Sequence, residues 1–100
     1  MSAYCLFDVL EITDAEKMEA YRSGVFATVQ KHGGRYVVIG GPFEVVEGHW
    51  HPAFPVMLEF PSLAAARRWY DSPDYAPLKQ LRLQATRGNA VFMDAPAGAH

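Results

Sequence analysis

An α+β sandwich, with helices on one face of a four-stranded antiparallel sheet, is the fold class this sequence predicts. Three observations predict it. Strand-like apolar runs alternate with helical periodicities in the order strand, helix, strand, strand, helix, strand, with one additional helix before the last strand. Capping and stop signals punctuate that order at Thr13, Gly33-Gly34, Pro61-Ser62 and Ser72-Pro73. The chain has 100 residues, half of them apolar and 13 of them aromatic, which suits one domain with a compact core.

The first strand spans Ala3 to Ile12. One parity carries Cys5, Phe7 and Val9, and the other carries Tyr4, Leu6, Leu10 and Ile12, interrupted by Asp8. A half-exposed strand alternates apolar with polar residues, so this pattern predicts cover on both sides. Thr13 to Glu16 spells a capping box, with Thr13 as the cap and Glu16 reaching back. Met18, Tyr21, Val25, Val29 and His32 then recur at helical spacing, giving an amphipathic helix stopped by Gly33-Gly34.

Tyr36 to Ile39 is the second strand, closed by Gly40-Gly41-Pro42. Phe43 to Pro52 reads as a polar connection with short strand pairing around Glu44 to Val46. Phe54 to Phe60 is the third strand, and Ser62 caps a helix that runs to Tyr70. Pro77 follows Pro73 by four positions, so a single turn over Ser72 to Ala76 and a helix restarting near Pro77 are expected. Ala90 to Met93 is the last strand. Residues 1–95 are read as one domain and residues 96–100 as a disordered tail.

This order is that of the ferredoxin-like βαββαβ sandwich, whose usual spatial strand order 4-1-3-2 leaves one sheet face bare. An apolar bare face is an association site, so a homodimer packed through the sheet face is expected. A formal net charge of −2, with nine scattered basic residues, argues against nucleic acid as a partner. No apolar run approaches the ~20 residues of a membrane span, and the N-terminus carries no signal-peptide pattern. A lone cysteine, Cys5, fits a reducing compartment, and a cytoplasmic protein is expected.

Glu59-Phe60-Pro61-Ser62, Ala66, Trp69, Ser72-Pro73, Tyr75 and Arg82 together resemble the signature of the DUF1330 family. Gly33-Gly34-Arg35, Gly40-Gly41, Glu47-Gly48 and Trp50 resemble its first half, so the likeness runs from about Tyr4 to Met93. The resemblance implies a dimeric α+β barrel, an architecture shared with small monooxygenases, lyases and isomerases. It implies no substrate, and no cofactor need be invoked. Three positions depart from the family pattern. Phe54 replaces a frequent arginine, Pro77 enters a helix usually free of proline, and Asp94-Ala95 replaces Glu-Gly.

Asp8 and Glu59 are candidate catalytic acids or bases, because a carboxylate inside an apolar strand has an unusual proton affinity unless a cation meets it. The competing reading pairs each with Arg35, Arg82 or Arg87 as structure. His32 is a candidate general base, or simply a cap on the carbonyls ending its helix. Tyr75 and Arg82, seven residues apart, are candidate ligand-binding groups, with arginine gripping an acid and the phenol orienting it. Against that stands an internal anchor from Arg82 to Asp71 or Asp74. His49 and His51 supply two imidazoles, but no third ligand is spaced nearby, and no metal site is assigned. The two functional readings are a small cofactor-independent enzyme acting on an anionic or aromatic metabolite, and a non-catalytic dimer that binds a small ligand or serves structure.

Overall fold

In the computed structural model, which describes residues 2–95, β1 (Ser2–Ile12) is the centre of the sheet. It is followed by α1 (Ala15–Lys31), β2 (Arg35–Ile39), β3 (Pro55–Phe60), α2 (Leu63–Tyr70), α3 (Ala76–Ala85) and β4 (Thr86–Ala95). The strands pair antiparallel in the order β2-β3-β1-β4, the predicted 4-1-3-2 order met from its other edge. The tail expected at 96–100 lies outside the described residues.

Register sorts the strand residues onto two faces. Cys5 lies opposite Leu58 and Phe92, and these point toward the helices. Leu6 lies opposite Met57 and Val91, and Tyr4 opposite Glu59 and Met93, on the other face. The helix-side core gathers Cys5, Phe7, Phe60, Val29, Trp69 and Tyr75. Trp69 is fully buried, stacks at 4.2 Å on Tyr75, and donates its indole N–H to Thr28 Oγ1 at 3.0 Å. That bond satisfies the polar end of a ring whose burial drives the packing.

Three details differ from the sequence expectation. The cap of α1 is Asp14, whose carboxylate accepts from the Lys17 N–H at 3.1 Å, and not Thr13. The Thr13 N–H donates instead to the Ala85 carbonyl at the end of α3, which holds the chain extended one residue longer. Glu44 to Val46 forms no strand, and residues 40–54 run irregularly between β2 and β3. β4 begins at Thr86 rather than Ala90, because the long β1 offers ladder partners as far as Ile12 and unpaired buried backbone is costly.

Gly88 makes this last pairing fit. A Cβ there would stand 2.2 Å from the Asp8 carbonyl oxygen, beside the irregularity between Val9 and Glu11. Pro77 sits in the first turn of α3, where its missing N–H costs nothing, so the helix does restart there. Gly33, at φ +83°, ends α1 in the left-handed conformation that glycine adopts without strain. No helix among the described residues is long and apolar enough to cross a membrane.

Candidate functional site

α1 sends Val25 and Val29 into the core beside the strands and meets α3 at Gly24 and Leu78, and a cavity opens between its apolar stripe and the sheet. The cavity has a volume of about 870 Å³ and predominantly apolar walls. Met18, Tyr21, Val25 and Val29 form its roof, and Phe7, Val56, Leu58 and Tyr36 form its floor. Its size falls within the range of small-molecule sites.

One cation reaches into it from α3. The Arg82 guanidinium lies 5.1 Å from the centre of the Phe7 ring, and its Nε donates to the Tyr75 hydroxyl at 3.2 Å. Among the described residues no carboxylate pairs with it. The Tyr75 hydroxyl shares a second hydrogen bond, of 3.0 Å, with the Tyr21 hydroxyl, which borders the cavity. Burial is the largest influence on Arg82 and works against its charge. Contacts with Tyr75, then Tyr21 and Tyr70, outweigh it and raise the pKa, so the side chain is a permanent cation. Burial first, and Tyr75 second, push the Tyr21 phenol well above the ordinary tyrosine range, so it stays neutral. The trio thus offers an anion one fixed positive charge and a neutral hydroxyl inside apolar surroundings.

The other sequence candidates lie elsewhere and do not face one another. Asp8 is 3% exposed, and one carboxylate oxygen accepts from the backbone N–H groups of Ala53 and Phe54, each at 2.9 Å. Its second oxygen is buried without a hydrogen-bond partner among the described residues. Glu59 lies on the sheet face away from the helices, where it accepts from Arg35 at 2.6 Å and from the Tyr4 hydroxyl at 3.2 Å. Hydrogen bonding by Ser2 and then Arg35 holds its carboxyl below the ordinary glutamate value.

His32 is the C-cap of α1, with its ring 3.5 Å from Asp74, beside a shallow surface depression bordered by Arg67, Arg68 and Pro73. Of the predicted set, Tyr75 and Arg82 meet at the cavity. Asp8, His32 and Glu59 occupy three separate places. His49 and His51 are exposed in the 40–54 connection, and no group of three potential metal ligands gathers among the described residues. Cys5 is buried, and burial pushes its thiol up to about 12.

Tyr21 is the site residue that sequence reasoning passed over as one more member of the helical stripe. Its signal was available, since a tyrosine on a buried stripe needs a partner for its hydroxyl. The partner is 54 residues away and only the fold supplies it.

A family model described as a domain of unknown function, DUF1330, matches residues 2–96. The RPA0582 protein of unknown function from Rhodopseudomonas palustris is 20% identical, with a TM-score of 0.72 over 95% of this chain and 82% of that one. SnoaB, a cofactor-independent oxygenase from Streptomyces nogalater, is 14% identical, with a TM-score of 0.56 over 95% of this chain and 91% of its own. A dimeric protein of unknown function with a ferredoxin-like fold, from Bacteroides fragilis, is 11% identical, with a TM-score of 0.51 over 94% of each chain. At these identities the likeness is one of fold. No curated protein matches the chain.

Proposed function

The chain belongs to the DUF1330 family, and from that premise we propose that its cavity holds a small anionic or aromatic metabolite and acts on it without a cofactor. One observation carries this reading: Arg82 points an unpaired positive charge into an apolar cavity, braced by Tyr75 and Tyr21. An arginine in that position binds an acidic group, or stabilises charge that develops on a ligand oxygen. The low-dielectric walls make the interaction stronger than it would be in water. The Tyr75 hydroxyl holds the guanidinium in place, and Tyr21 is positioned to hydrogen-bond the ligand. SnoaB, a cofactor-independent oxygenase, shares the fold, and by analogy of fold this supports cofactor-free chemistry.

A second reading, a non-catalytic ligand-binding dimer, is favoured by a specific observation: Asp8, His32 and Glu59 all lie outside the cavity. We assign those three to structure. The bare sheet face, with Leu6, Met57, Val38, Val91 and Met93 on it, supports a homodimer through that face in either case. A single domain in the cytoplasm fits the lone buried cysteine.

A thermal-shift screen of small acids, phenols and quinones tests the proposal, with Arg82→Gln as the control. The expected result is a rise in Tm with selected acids that the variant loses. Following those acids by mass spectrometry then separates the readings. Conversion supports the enzyme, stabilisation without conversion supports the binder, and no stabilisation by any acid overturns both.

A further inference from the structure

We infer that the ligand is a slender amphiphile, with a carboxylate at one end bound by Arg82 and an apolar chain laid along α1. This inference rests on the cavity being a ligand site, as proposed above, and adds the shape and chemistry of what fills it. The cavity follows α1 from Met18 to Gln30, a rise of about 18 Å at 1.5 Å per residue. It is an elongated groove between a helix and a sheet, open to solvent along part of its length.

Its unpaired charge lies toward one end, where Arg82 meets Tyr75 and Tyr21. From the level of Tyr21 to Gln30 a further stretch of about 14 Å remains. That stretch is bordered by Val56 and Ile39, while Val25, Val29 and Leu58 are packed into the core behind it. Two other arginines border the cavity, and each already has an acid within reach. Arg35 is 2.6 Å from Glu59, and Arg22 is 3.7 Å from Glu19. Arg22 stands half exposed in a screened pair, so among the described residues Arg82 is the bordering cation that is both partly buried and without an acid partner.

The mouth gives the same indication. Ile12, Phe26, Ile39 and Phe54 line the cavity, and each is between 44% and 63% exposed. Large side chains kept in water at the rim of an apolar groove favour a ligand whose tail covers them as it enters. Polar groups set against Val56, Ile39 or Phe54 would go unsatisfied, which favours a ligand whose body is largely apolar. One charged end and a largely apolar body is the chemistry that meets both constraints.

Calorimetric titration of the purified protein with straight-chain carboxylates, from butanoate to dodecanoate, reads this directly. Kd is expected to fall roughly fourfold for each added methylene until the groove is filled, and then to level off. The amine and the alcohol of the best chain length should bind at least tenfold more weakly than the acid. Arg82→Gln should weaken every acid by a similar factor while preserving the dependence on chain length. Should that variant fail to fold, the amine and alcohol comparison on the unaltered protein carries the head-group test. Benzoate and naphthoate serve as compact controls. If they bind through Arg82 while chain length has no effect, the slender amphiphile is overturned and the anion site stands. If no acid binds, both are overturned.

Discussion

Asp8 was marked by its sequence position as a carboxylate out of place in an apolar strand, and its place in the fold explains it. It holds the end of the irregular 40–54 connection by accepting from two consecutive backbone N–H groups. Asp8→Ala should cost about 3 kcal/mol in urea unfolding, because hydrogen bonds to a charged acceptor are lost and two donors are stranded. Asp8→Asn should cost less, since one acceptor oxygen remains. Glu59 makes a contrasting case on the open face. Hydrogen bonds from Ser2 and Arg35 hold its carboxyl below the ordinary glutamate value, so its contribution to stability is present above that ordinary value. It is lost as pH falls through the lowered folded value. Melting curves from neutral to acid pH should therefore decline less steeply in Glu59→Gln than in the unaltered protein. The sequence exposed both carboxylates as anomalies and offered Arg35 among three arginines as a partner, which Glu59 takes, but gave no sign of the backbone amides that meet Asp8. Those amides lie 45 and 46 residues from Asp8 and become recognisable as its partners only once the fold brings them together.

Among the elements, those with strong local signals stood where the sequence put them. α2 starts at Ser62, whose hydroxyl accepts from the Ala65 N–H at 3.0 Å, and α1 stops at its glycines. Boundaries moved where a distant partner competed with local preference. Thr13 has the residue type of a cap, yet its N–H is taken by Ala85 at 2.6 Å, and Asp14 becomes the cap. Asp14→Ala should lower stability by about 1 kcal/mol, whereas Thr13→Ala should change it little. Chemical denaturation of the two variants side by side checks the assignment. The sequence of β4 hides its own length. Arg87, Gly88 and Asn89 are poor strand formers, and they become strand because β1 presents hydrogen-bonding groups opposite them.

The whole molecule is a slab, 17 Å across its thinnest Cα dimension, with helices on one side and a bare sheet on the other. The apolar residues on that bare side follow from the parity of β1 and β3. The proposed sheet-face homodimer would remove them from water. Sedimentation equilibrium should give a dimer at micromolar concentration, and Met57→Glu should shift it to monomer with its far-UV spectrum unchanged. A monomeric unaltered protein would refute this dimer. Sequence by itself determined the fold class, the strand order and the two-sided apolar character of the central strands. Those depend on local periodicity and on turn and cap chemistry, which neighbouring residues express. Only the tertiary structure decided which side chains form a site. The cavity is a gap between α1 and part of the sheet, and a gap between elements has no residue pattern of its own. Arg82 becomes the charge within it because Tyr75 and Tyr21 meet there, a contact that depends on packing across half the chain.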